Sequence, residues 1–244
     1  MKQPKQKTAL LKLQLFLSHN GICSRRDALQ HIFDGRVTVN GASVTEPSYK
    51  INPNVDVVCF NGVKIKEKSY EYVLLHKLKG YVTTLQDAHA QRTVMDLLPF
   101  HLRHLRPVGR LDKDTEGLLL LTNDGDIAFR LTHPRFSVSK SYYVQTADKV
   151  TWEQIKRLEK GVRIDGKRTA PARISSVNAK GRKTTFIMVI HEGRKRQIRR
   201  MLSAIGHTVI YLKRIKQGPL ELTGVAPGRW RLLKKSEIES LKRL

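Results

Sequence analysis

The stretch GRLDKDTEGLLLLTNDG, residues 109–125, decides how the rest of the chain is read. Asp112, Asp114, Glu116 and Asp124 crowd into it, with Asp126 just beyond, in a 244-residue protein that has 46 Lys and Arg against 21 Asp and Glu. The four leucines at 118–121 form a short unbroken apolar run, the pattern of a strand buried on both faces. The acids beside it have three readings. They can be a solvated turn. They can open a calcium loop, because DKDTEG offers oxygens at alternate positions with glycine sixth; but the twelfth position is Asn123 instead of a bidentate Glu, and leucines fill positions seven to ten. Or Asp112 alone is chemical: at the edge of a core a carboxylate is partly desolvated, needs a partner, and can act as nucleophile or base. Asn123 to Asp126 read as a turn and cap for a helix through IAFRLTH that ends at Pro134.

Around this stretch the composition is that of a folded soluble protein, 40% hydrophobic and 27% charged. No window approaches the length of a membrane span. The opening MKQPKQKTALLKLQLFL is interrupted by Lys12 and Gln14 and lacks a cleavage site, so it reads as a basic tail entering a helix. Cys23 and Cys59 are too few for a disulfide framework and fit buried free thiols in a reducing cytoplasm. The basic balance points to a polyanion, and its spread along the chain favours nucleic acid over a membrane surface.

Residues 8–60 read as one compact block. Leu11, Leu13, Leu15, Phe16 and Leu17 open it. Ser24 with Asp27 caps a second helix that buries Ala28, Leu29 and Ile32 and stops at Gly35. Val37 and Val39 alternate into a strand, Asn40-Gly41 is a hairpin signal, and VDVVCF (55–60) closes the block. The polar stretch 61–69 reads as a linker. From residue 70 to 244, apolar runs (YVLLHK, GLLLLT, SYYVQT, TTFIMVI, TVIYLKRI) predict strands, interspersed with few helices. One such helix is TWEQIKRLEKG, with Thr151 and Gln154 as capping box; a last one is expected to start at Ser236 with Glu239. The pattern is α+β, with a mainly antiparallel mixed sheet flanked by helices. Both parts are basic: residues 1–68 hold 11 Lys and Arg against 5 acids, and residues 69–244 hold 35 against 16. The nine histidines show no metal-ligand spacing; His101 and His104 share a helix face but nothing joins them.

Residues 109–126 resemble the signature of the ribosomal small-subunit-type (Rsu-type) pseudouridine synthases: GRLD, a Thr three residues on, then GLLLLTNDG. The resemblance continues at HEGRKRQIRRM (191–201) and at Lys140-Ser141-Tyr142. The block at 11–59, with SRR, GRV and VNG, resembles the alpha-L RNA-binding domain that precedes this catalytic domain in the family. Among subgroups the chain is most similar to those acting on large-subunit ribosomal RNA. Two departures stand out: Lys77-Leu78-Lys79-Gly80 where the family has Lys-Pro-x-Gly, and Lys195 where it has Asn.

The resemblance implies isomerisation of a uridine in structured ribosomal RNA, by base flipping, with no cofactor, no metal and no membrane, by a monomer in the cytoplasm. It makes Asp112 the catalytic carboxylate, Tyr142 the residue that stacks on the base, and Arg199 the ion-pair partner of Asp112. Arg110 and Lys140 would contact RNA beside the site, Arg196 and Arg200 would touch phosphate, and Arg25, Arg26 and Arg36 would serve the small domain. Helical spacing agrees for Arg199: Ile198, Met201, Leu202 and Ile205 form one apolar face, and Arg199 sits about 60° from Leu202, on its flank. Tyr143, on the opposite strand face from Tyr142, is expected in the core. Asp114 and Glu116 receive no role. The rival readings are a non-catalytic RNA-binding or ribosome-assembly protein on the same fold, and a synthase for small-subunit rRNA or tRNA.

Overall fold

A computed structural model describes residues 10–66, 69–85 and 91–244. The chain divides at Tyr70/Glu71 into two compact units. In the first, a two-residue strand β1 (Leu11–Lys12) leads into helices α1 (Leu13–His19) and α2 (Arg25–Phe33), followed by β2 (Val37–Val39), β3 (Ala42–Ser43), β4 (Lys50–Ile51), β5 (Val58–Phe60) and β6 (Val63–Lys64). Ser24 caps α2 by accepting from the Asp27 amide, and Ala28 and Ile32 are buried while Leu29 is only half-buried. Asn40 and Gly41 both take positive φ, the geometry of a tight hairpin between β2 and β3. The closing strand is shorter than VDVVCF suggests. Moreover, residues 63–64 are not linker: Asn61 and Gly62 turn the chain at positive φ, and β6 pairs back on β5. Asn61-Gly62 is a second hairpin signal of the same kind.

The second unit is built on one sheet. Its strands are β7 (Tyr72–Lys77), β8 (Arg106–Pro107), β9 (Glu116–Thr122), β10 (Lys140–Thr146), β13 (Arg173–Lys180), β14 (Lys183–Ile190), β15 (Val209–Gln217), β16 (Leu220–Glu221) and β17 (Trp230–Leu232); β11 (Arg163–Ile164) and β12 (Lys167–Arg168) form a separate hairpin. Helices α3 (Gly125–Thr132), α4 (Trp152–Glu159), α5 (Gln197–Ser203) and α6 (Lys235–Lys242) accompany them. The order β13-β14-β10-β15-β9-β7-β17 is antiparallel at every junction except β15 with β9.

The four leucines of β9 are buried for the reason their pattern suggests. Leu119 and Leu121 join the core that α4 and α5 cover, while Leu118 and Leu120 join a second core under α3 and α6. Each such side chain contributes about 1.5–3 kcal/mol by leaving water. Gly117 has its own reason. Its φ is +116°, and a Cβ there would stand 2.2 Å from the Arg214 carbonyl oxygen across the parallel seam, so no side chain fits.

Farther from the seam the sheet is covered on one side only. Tyr142 and Val144 are buried, whereas Tyr143 and Gln145 are half-exposed. Tyr143 is therefore not core; it meets Tyr211 edge-on, ring centroids 6.0 Å apart, on the uncovered face. The capping box of Thr151 and Gln154 forms as expected. The last helix begins at Lys235, ahead of Ser236, because Glu237 caps it by accepting from the Lys234 amide at 2.8 Å and also holds Arg231.

Candidate active site

Asp112 lies on the loop between β8 and β9, and three anchors fix the backbone on either side of it. Thr83 Oγ1 donates to the Leu111 carbonyl at 2.8 Å. The Thr115 amide turns back to the Asp112 carbonyl at 3.0 Å. Lys77, fully buried at 0% exposure, donates from Nζ to the carbonyls of Leu78, Asp112 and Thr115 at 3.1, 3.0 and 2.7 Å. A lysine so enclosed loses hydration, and burial pulls its pKa down to about 8 in spite of the nearby charges of Asp112, Asp114 and Glu116. The lysine of Lys-Leu-Lys-Gly thus braces the loop from beneath. The carbonyl of Leu78 serves it as well as a proline's would.

The carboxylate of Asp112 accepts no hydrogen bond from the described residues, although Lys77, Arg196 and Arg199 lie within electrostatic reach. The arginines are held by its neighbour. Arg196 makes two bonds of 3.0 Å to the Asp114 carboxylate. Arg199 Nε lies 3.1 Å from Asp114 Oδ2, its Nη2 donates to the Asp114 carbonyl, and its Nη1 donates to the Val209 carbonyl. The expected pairing of Arg199 with Asp112 is thus displaced by two residues, and Asp114 gains a structural role that spacing alone did not reveal. Burial alone would raise the Asp114 carboxyl, but the Arg196 hydrogen bond and the two guanidinium charges carry it below its ordinary value. Arg196 itself adopts a left-handed backbone, φ 51°, immediately before α5. The ion pair secures a conformation that costs a non-glycine residue energy.

Glu116 is also occupied: His76 Nε2 and Tyr211 Oη both reach its Oε1 at 3.0 Å. Burial, then that bond, pushes Tyr211 up to about 12. Asp124 caps α3 by accepting from the amides of Asp126 and Ile127, and takes the Tyr72 hydroxyl at 2.6 Å. Each acid of the opening stretch therefore has a separate task, and Asp112 is the one whose carboxylate is left open.

A cleft of about 570 Å³ opens beside Asp112. Arg110, Lys140, Tyr142 and Arg196 line it together with Arg214. Tyr142, 8% exposed, belongs to the core and also lines the cleft wall. Lys140 donates to the Val138 carbonyl at 2.9 Å, and burial, then Arg214, lowers its pKa. Arg200 lies outside the cleft and pairs with Asp165, so it is engaged within the fold. Three polar atoms on the cleft wall are buried without a partner: Thr115 Oγ1, Arg214 Nη2 and Gln217 Oε1. Sequence reasoning missed Lys77, Arg214 and Gln217 as site residues: Lys77 stands at the end of its strand, and Arg214 is one of three basic residues in β15, so neither stood out. Among the described residues no His, Cys, Asp and Glu group could hold a metal ion, and no helix is long and apolar enough to cross a membrane.

In the first unit, Arg25 and Arg26 are exposed on α2. Arg36 is exposed but braced: its Nε donates to Asn61 and its guanidinium lies 5.1 Å from the Phe60 ring centroid.

Comparison with known proteins converges on one family. The family profile described as RNA pseudouridylate synthase matches residues 71–204, and the S4 domain profile matches residues 11–57. The chain is 39% identical over 232 residues to an uncharacterized RNA pseudouridine synthase of Aquifex aeolicus (strain VF5), covering 95% of this chain and 93% of that one. It is 40% identical over 235 residues to the ribosomal large subunit pseudouridine synthase B of Bacillus subtilis (strain 168), covering 96% of each. A crystal structure of a pseudouridylate synthase, 31% identical, superposes with a TM-score of 0.68 over 95% of this chain and 99% of that one. With an S4 domain at residues 11–57 and the synthase fold after it, the chain belongs to the RNA pseudouridine synthase family.

Proposed function

We propose that the protein converts a specific uridine of ribosomal RNA, in the large subunit, to pseudouridine, with Asp112 as the essential catalytic group. The observation that carries this is the pairing pattern of the acidic loop. Asp114 and Glu116 are engaged by Arg196, Arg199, His76 and Tyr211, whereas the Asp112 carboxylate lines an open cleft without a hydrogen bond. The large-subunit substrate is supported by the 40% identity to the Bacillus subtilis synthase over nearly the full length of both chains.

The reaction breaks the bond between uracil N1 and ribose C1′ and forms one between C5 and C1′; C5 gives up a proton and N1 carries one in the product. Atoms and electrons balance within the substrate, so no cofactor is consumed. The uridine is flipped from its stack, Tyr142 offers its ring as a stacking surface, and Asp112 meets the ribose. Arg199 acts as a positioning residue through Asp114. Arg110, Lys140 and Arg196 supply positive charge at the cleft, Arg200 adds charge on the same helix, and Arg25, Arg26 and Arg36 of the S4 domain hold structured RNA through its phosphates. The enzyme works as a cytoplasmic monomer. Asp112→Asn tests the reading: pseudouridine mapping in ribosomal RNA from cells with the wild-type gene, the variant gene and none should show one site lost in the last two. A site retained by the variant removes Asp112 from the mechanism, and no site lost anywhere favours a binding or assembly role.

A further inference from the structure

Strand β15 contains a bulge that turns two buried polar side chains toward the cleft. Ser141 of β10 pairs with Lys216, but Tyr142 pairs with Arg214, which leaves Ile215 as the extra residue. In an unbroken strand, side chains three positions apart face opposite ways. Here both Arg214 and Gln217 line the cleft, the re-aiming that bulges produce beside active sites. They are 2% and 1% exposed. Each nevertheless keeps one polar atom without a partner, Arg214 Nη2 and Gln217 Oε1, while Arg214 Nε is fixed on the Leu118 carbonyl at 2.8 Å.

Buried donors and acceptors are rarely left open in a fold unless something else completes them. We propose that Arg214 and Gln217 read the Watson–Crick edge of the target uracil. Gln217 Oε1 accepts from N3–H, and Arg214 Nη2 donates to the adjoining ring carbonyl oxygen. A phosphate fits less well, because it brings only acceptors and would set oxygen against Gln217 Oε1. Tyr142, the cross-strand neighbour of Arg214, lines the same cleft, so stacking and edge reading converge on one base. The inference rests on this cleft being the uridine pocket, and is independent of the role given to Asp112.

The test uses the full-length protein with uridine 5′-monophosphate as probe, followed by saturation-transfer NMR. The wild type should bind it, and its N3-methyl derivative at least about tenfold more weakly. Gln217→Met should weaken binding of the unmethylated probe about tenfold while leaving the methylated one unchanged, since the methyl group already occupies the N3 position. Arg214→Met should weaken both probes. If that variant does not fold, Gln217→Met decides alone, because it leaves the Arg214–Leu118 bond intact. Asp112→Asn should bind the probe like the wild type while losing turnover, which separates this inference from the proposed function. Equal binding of both probes by the wild type, equal weakening of both by Gln217→Met, or no binding of either overturns the proposal.

Discussion

Arg199 grips Asp114 at two points: its Nε lies 3.1 Å from Oδ2, and its Nη2 donates to the Asp114 carbonyl at 2.8 Å. With Arg196 on the same carboxylate, α5 is fastened to the loop that carries Asp112. Two arginines on one acid leave a net positive charge beside Asp112, within electrostatic reach of its carboxylate. The ion pair therefore does structural and electrostatic service for a residue it does not touch.

Asp114→Asn should lower turnover by at least about tenfold and destabilise the protein by about 1–3 kcal/mol, the range for leaving charged partners unsatisfied. The Asp114 carboxyl titrates below its ordinary 3.8 in the folded protein. Its stabilising contribution is then complete above that pH and is lost as pH falls through the folded value. Denaturant unfolding of wild type and variant should differ at pH 6 and converge in acid.

Lys77 also makes stability rise with pH, but in an alkaline window. Its pKa falls from 10.5 unfolded to about 8 folded, so between those values the unfolded chain binds the extra proton and stability rises with pH. The slope from this one group is at most about 1.4 kcal/mol per pH unit. Lys77→Met should remove that slope and also lower kcat, because the carbonyls of Asp112 and Thr115 lose their donor. Unfolding measured from pH 7.5 to 10.5 checks the first outcome, and single-turnover kinetics the second.

Gly117→Ala should cost about 3 kcal/mol or more, because the new methyl group meets the Arg214 backbone and the φ of +116° disfavours any side chain. A thermal melt of the variant that matched the wild type would mean that β9 and β15 do not approach this closely.

Replacing Arg25 and Arg26 together by alanine should weaken RNA binding evenly across sequences. The slope of log affinity against log salt should fall by about 1 for each phosphate that the variant no longer neutralises. Turnover on saturating RNA should stay as it was.

Much of the fold is legible from residues alone. Leu118–Leu121 mark the two-sided strand, Asp124 the helix cap, and Asn40-Gly41 the hairpin, because each depends on a local pattern. Strand β13 is not legible: RISSVNAK is an exposed edge with a register shift, and its polar residues carry no period. Tyr143 misleads because alternation tells that two strand faces differ but not that one of them lacks a covering helix. Arg199 is rightly placed on the flank of α5, yet spacing could not choose between Asp112 and Asp114. The fully buried Lys77 is hidden for another reason: a lysine ending an apolar strand looks like its exposed terminus until the loop wraps over it.

The position of β15 has a consequence for how the protein comes into being. It lies between β9 and β10, both made earlier, so a chain released as far as residue 208 presents two open strand edges that only β15 can close. Such edges invite pairing with other chains, and a strand inserted between partners so distant in sequence is slow to find its place. The cleft has neither Arg214 nor Gln217 until then. Sheet and cleft are therefore completed together by residues 209–217, and shortening the protein before residue 217 should yield aggregated protein instead of a weaker catalyst.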